Sequence, residues 1–162
     1  SGQTVVDEAH LLAADVRARV DATVSDLRLR TGDRVALVVP RSLHGMSVEE
    51  YAARVGRRFG FSSGETGVLV VYAPRERAWR IEPGPGLERV FPREVAARLI
   101  PRSRPDGAAD AVADVVRSTA DVLIAERRES VRRQASPWGG RPGWPVLIAL
   151  GSGLAAAVRA LA

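Results

Sequence analysis

Two short, almost wholly apolar runs, Val35-Ala36-Leu37-Val38-Val39 and Val68-Leu69-Val70-Val71-Tyr72, constrain the fold of this chain more than any other feature. A strand with one wet face alternates apolar and polar residues, so a run without alternation reads as a strand covered on both faces. Such strands need helices above and below them. The stretch between the two runs supplies one helix. Ser47-Val48-Glu49-Glu50 has the form of a capping box, in which Ser47 and Glu50 satisfy each other's backbone amides, and Val48, Tyr51, Val55 and Phe59 then fall on one face. Gly60 and Ser62-Ser63-Gly64 close it. With a helix between them the strands are expected to be parallel, joined by a right-handed crossover.

The rest of the chain fits around this unit. From Ala9 to Arg30, Leu12, Val16, Val20, Val24 and Leu27 keep the spacing of an amphipathic helix, stopped at Thr31-Gly32-Asp33. After a turn at Pro74-Arg75-Glu76-Arg77, the run Ala78-Trp79-Arg80-Ile81-Glu82 alternates apolar with charged, the pattern of a half-exposed hairpin partner. Pro83-Gly84-Pro85-Gly86 is a loop, Pro92 opens a short helix carrying Val95, Ala96 and Leu99, and Val112, Val115, Val116, Thr119, Val122 and Leu123 mark a long final helix. The expected class is α/β: a three-layer α/β/α sandwich around a small mixed sheet, plus a C-terminal apolar helix.

Composition narrows the chemistry. No cysteine is present, which excludes a disulfide framework, a thiolate metal site and a cysteine nucleophile. His10 and His44 are the only histidines, so a multi-histidine metal site is excluded and a Ser-His-Asp triad has few ways to form. Any metal would rest on oxygen ligands. The net charge of +5 suggests an anionic partner, but every basic side chain is Arg, and the arginines are interleaved with Asp and Glu. With no basic run carrying stacking aromatics, no nucleic-acid partner is expected.

Ser136-Pro137-Trp138-Gly139-Gly140-Arg141-Pro142-Gly143 is rich in helix breakers, and Trp144 to Val158 is apolar and uncharged. The expected organisation is a domain over residues 5–133, a linker over 134–143 and a membrane anchor over 144–162. A bilayer span takes about 20 residues, so the segment suffices only if Arg159 snorkels to an interface. Arg127, Arg128, Arg132, Arg133 and Arg141 precede it, which by the positive-inside rule points to a cytoplasmic domain. No leader is visible ahead of Val5.

Four stretches in order resemble the TPM domain family, which includes a thylakoid acid phosphatase and many bacterial membrane-anchored proteins. They are Val5-Val6-Asp7-Glu8-Ala9 with Leu11-Leu12, Ser47-Val48-Glu49-Glu50-Tyr51-Ala52, Gly67-Val68-Leu69-Val70-Val71, and Arg80-Ile81-Glu82-Pro83-Gly84-Pro85-Gly86-Leu87-Glu88. The resemblance implies an α/β/α sandwich and a domain outside the cytoplasmic membrane, which is the topology preferred here over the arginine count.

It also implies a divalent-cation site, with weak calcium or magnesium binding, formed by Asp7, Glu65 and Glu88. Asp7 stands at the family's first Asp, Glu65-Thr66-Gly67 replaces the usual Asp-Asn-Gly, and Glu88 matches the Glu of Gly-x-Gly-Leu-Glu. Where the family often carries Asp, this chain has Arg93. Position alone allows other roles: Asp7 as a helix-entry cap, Glu65 and Glu88 as solvated loop carboxylates. Gly84-Pro85-Gly86 is no phosphate loop, since Pro85 lacks an amide donor. His44 reads as a loop histidine and Trp79 as sheet packing. With one carboxylate altered and an Arg gained, the expectation is a non-enzymatic, membrane-anchored interaction domain with an unidentified protein partner, acting in envelope or membrane-complex maintenance. The alternative is an acid phosphatase with a degenerate acidic site.

Overall fold

The computed structural model describes residues 4–61, 66–101 and 107–135. By its internal contacts the chain separates into residues 1–127 and residues 128–162, and the described part of the second unit is 128–135. The elements are β1 (Val5–Asp7), α1 (Ala14–Thr31), β2 (Arg34–Val39), α2 (Val48–Arg58), β3 (Gly67–Ala73), β4 (Ala78–Pro83), α3 (Arg93–Leu99) and α4 (Ala108–Ala135).

The strands form one sheet in chain order, β1-β2-β3-β4. The first three are parallel, with Val5 opposite Leu37 and Val35 opposite Val68, and β4 runs antiparallel to β3 with Val70 opposite Ile81. This is the expected mixed sheet. Alternate residues of the two apolar runs go to different cores. Val35, Leu37, Val39, Val68 and Val70 are buried with Val16, Val20, Val24 and Leu27 of α1 and with Val112, Val115 and Val116 of α4. Ala36, Val38, Leu69 and Val71 are buried with Ala52 of α2 and Phe61. Burial on both faces is what the absence of alternation demanded, and three layers result.

The two apolar runs pair in parallel, as expected, with Val35 opposite Val68. Both parallel connections step the same way across the sheet, yet α1 covers one face and α2 the other, so one of the two crossovers is left-handed. Right-handed crossovers dominate at about 98%. In a sheet ordered as the chain runs, two of them would put both helices on one face and leave the second apolar face bare.

Local chemistry explains the element ends. Ser47 Oγ accepts from Glu50 N at 3.2 Å while Glu50 Oε2 accepts from Ser47 N at 2.9 Å, the reciprocal capping box. Helix α1 stops at Gly32, whose φ of 76° gives the left-handed turn in which its amide bonds Arg28 O. Gly67 is required by packing: a Cβ there would lie 2.3 Å from the Phe61 ring and 2.9 Å from the Arg34 carbonyl oxygen.

The expectation of a single C-terminal membrane anchor is corrected. No helix among the described residues is long and apolar enough to cross a membrane. The last described helix is α4, an amphipathic element packed on the sheet through Val112, Val116 and Leu123, and residues 144–162, on which the expectation rested, lie outside the described residues. The same holds for the linker from Ser136 onward.

Candidate binding cleft

Among the described residues strand β4 is an edge strand, and a cleft lies beside it. Its residues face alternately to the two cores. Trp79 and Ile81 turn toward the α1/α4 face, where Trp79 stacks on Tyr72, its partner across the ladder, with ring centroids 4.2 Å apart. Arg80 and Glu82 turn toward the α2 face and pair with each other, Nε to Oε2 at 2.8 Å and Nη2 to Oε2 at 2.5 Å. Beyond Pro83 the chain is pinned by Gly84 N donating to Gly67 O at 2.8 Å, and then by the buried side chains of Leu87 and Phe91. This loop delivers Glu88 and leads into α3.

The cleft has a volume of about 510 Å³. Residues 79–83 of β4 form one wall, and Phe91, Arg93 and Ala96 stand on the wall made by the loop and α3. Glu49 and Glu88 border it as well. A smaller hollow of about 230 Å³ lies on the α2 side, lined by Ala52, Gly56, Phe61 and Leu69, and shares Glu82, Pro83 and Glu88 with the first.

The residues expected to hold a cation are distributed as follows. Asp7 ends β1, and its carboxylate accepts from Leu11 N at 3.0 Å and Leu12 N at 2.8 Å, so it organises the loop that enters α1. It is not the N-cap itself, which is Ala13. Glu88 is exposed, and its Oε2 accepts from Gly86 N at 2.8 Å. Asp7 lies opposite Val39 at the carboxyl end of the parallel strands, whereas Gly84, which leads to Glu88, bonds Gly67 at the amino end of β3. The structure therefore separates Asp7 from Glu88 by the length of the sheet. Glu65 lies outside the described residues. Glu88 and Arg93 do line one cleft. Among the described residues no group of three or more His, Cys, Asp or Glu side chains is placed to hold a metal ion.

Asp7, with both oxygens accepting from backbone amides, and Glu88, with Oε2 accepting from Gly86 N, stand at opposite ends of the sheet, so these two of the three expected ligands do not meet on one cation. Calcium takes about six to eight oxygen ligands gathered from several groups. A guanidinium in the same cleft as Glu88 works against a cation there by Coulomb repulsion. The feature missed in the sequence is the Arg80–Glu82 pair on the free edge. Its signal was the opposite charge at the two polar positions of the alternating run.

The TPM domain family matches residues 5–126. Among solved structures, the N-terminal domain of a protein from P. gingivalis is similar at 24% identity and a TM-score of 0.70, covering 77% of this chain and 84% of that one. BA42 from the psychrophilic bacterium Bizionia argentinensis follows at 15% identity and 0.59, covering 74% and 86%. The N-terminal domain of cg2496 from Corynebacterium glutamicum is similar at 16% identity and 0.50, covering 80% and 79%. At these identities the likeness is one of fold. Among curated proteins none matches the chain.

Proposed function

The chain belongs to the TPM domain family, and from that premise we propose that it acts as a non-enzymatic interaction domain rather than as a cation-dependent acid phosphatase. The observation that carries the reading is the composition of the β4 cleft, where Glu88 shares the walls with Arg93 and with an Arg80 already paired to Glu82. A phosphatase of the two-carboxylate-and-cation kind needs its carboxylates converging on one ion, which then clamps the phosphoryl group. Asp7 instead spends both oxygens on backbone amides at the far end of the sheet. A concave, partly apolar edge with a few fixed charges suits binding without chemistry.

The test is turnover of p-nitrophenyl phosphate by the purified protein at millimolar calcium or magnesium. The expected result is no rate above buffer. Turnover that requires the cation and is lost in Glu88→Ala would reverse the reading in favour of the phosphatase.

A further inference from the structure

Among the described residues the outer edge of β4 carries no partner strand, and the direction of each of its main-chain groups follows from the register. Gly84 N donates to Gly67 O, one step beyond the Val68–Pro83 pair, so the main-chain groups of Gly84, Glu82 and Arg80 point inward to β3. Those of Trp79 and Ile81 therefore point outward, as does the carbonyl of Pro83, which has no N–H to offer. All five residues from Trp79 to Pro83 line the cleft, so this outward edge faces into it.

We propose that the β4 edge pairs with the β4 edge of a second copy of this chain. An antiparallel register centred on Ile81 lets the two Ile81 residues exchange both backbone hydrogen bonds and lets each Trp79 N–H donate to the Pro83 carbonyl of the other copy. The missing Pro83 amide costs only the return bond. In the same register Arg80 of each copy falls opposite Glu82 of the other, at the closely spaced, non-hydrogen-bonded positions where side chains interact most. Arg80 and Glu82 lie on the same face of the strand and carry opposite charge, so the edge is self-complementary about a two-fold axis, as an isologous contact requires. Like charges at these positions would have blocked the edge, which is the usual protective device. Ala96 and Ala97, lining the cleft from α3, are small enough to let a neighbouring strand approach.

The proposal rests on the reading of the domain as an interaction module and names its partner. The test is sedimentation velocity of the full chain over a concentration series, with Arg80→Glu, Glu82→Arg and the double variant Arg80→Glu/Glu82→Arg. Each single variant puts like charges opposite one another in both cross-strand pairs, and dimerisation is expected to weaken about tenfold or more. The double variant restores opposite charges and the dimer. Mixing the two single variants, each monomeric alone, should yield the heterodimer. Thermal unfolding of each variant checks that the domain is folded. A parent that stays monomeric, or a dimer indifferent to residues 80 and 82, overturns the pairing. Binding of a foreign extended peptide along β4 by an otherwise monomeric chain overturns it too. None of these outcomes alters the phosphatase assay, so failure here is separate from failure of the interaction reading.

Discussion

Asp33 and Arg127, 94 residues apart in the chain, are joined by two hydrogen bonds, from Arg127 Nε to Asp33 Oδ2 at 2.8 Å and from Nη2 to Oδ1 at 2.5 Å. The carboxylate is 0% exposed and the guanidinium side chain 46% exposed. The pair fastens the start of β2 to α4 within the first unit. Burial by itself raises the Asp33 pKa, but hydrogen bonds from Arg127 and Thr66 and the charge of Arg127 outweigh it and leave the carboxyl below its ordinary value.

Removing Arg127 strands a buried carboxylate. Arg127→Ala is expected to cost about 2–3 kcal/mol, less than for a wholly buried pair because the guanidinium is half in water. Asp33→Asn should cost less, since the amide keeps an acceptor and carries no charge. Urea unfolding of the three proteins measures both, and equal losses would show that charge is not the source.

The same pair sets a pH dependence. Because the folded pKa of Asp33 is depressed, its contribution is present above the unfolded value near 3.8 and is lost as pH falls through the lower folded value. Stability measured from pH 5 downward should fall more steeply in the parent than in Asp33→Asn. Parallel curves would assign the acid sensitivity to other carboxylates.

Asp7 is expected to matter for folding and not for cation binding. Asp7→Ala leaves the amides of Leu11 and Leu12 without their acceptors, at a cost of about 1–2 kcal/mol. Calorimetry with calcium should be the same for the parent and the variant. A calcium affinity that falls with Asp7 would restore it as a ligand.

Gly67 has no room for a methyl group, since its closest neighbours are a buried ring and a backbone carbonyl that cannot swing away. Gly67→Ala should destabilise by about 1–3 kcal/mol through overpacking, and Phe61→Leu should relieve part of the loss. Additive effects in a double-mutant cycle would contradict the contact.

Much of the fold is legible in the sequence itself. The unbroken apolar runs announced strands buried on two faces because nothing in them tolerates water, and the Ser47–Glu50 spacing announced a cap because both partners are local. What was not readable depends on distant neighbours. Val5-Val6-Asp7 is too short to show a period, and it becomes a strand only through Leu37, Val38 and Val39 beside it. Helix α1 starts at Ala14 rather than Ala9 because Asp7 holds the intervening loop in another shape. Asp33 looked like part of a helix stop, since its partner is far along the chain. Which end of the sheet a carboxylate reaches is not legible in chain order either: Asp7 closes β1 at the carboxyl end of the parallel strands, Glu88 follows the loop pinned at the amino end of β3, and Glu65 lies outside the described residues.

A sheet whose spatial order repeats its chain order also bears on how the molecule comes together. Each strand can dock on the one made just before it: the β3–β4 hairpin closes a short loop, and the parallel pairs, Val5 with Leu37 and Val35 with Val68, each close a loop only one helix long. Helix α4 stands apart, because Arg19 of α1 reaches Asp110 and Asp33 reaches Arg127 across most of the unit. On this account α4 is the last layer to seat, and Arg127 latches it. Kinetics of Val116→Ala should then show the loss mainly in a faster unfolding rate, and those of Val70→Ala mainly in a slower folding rate.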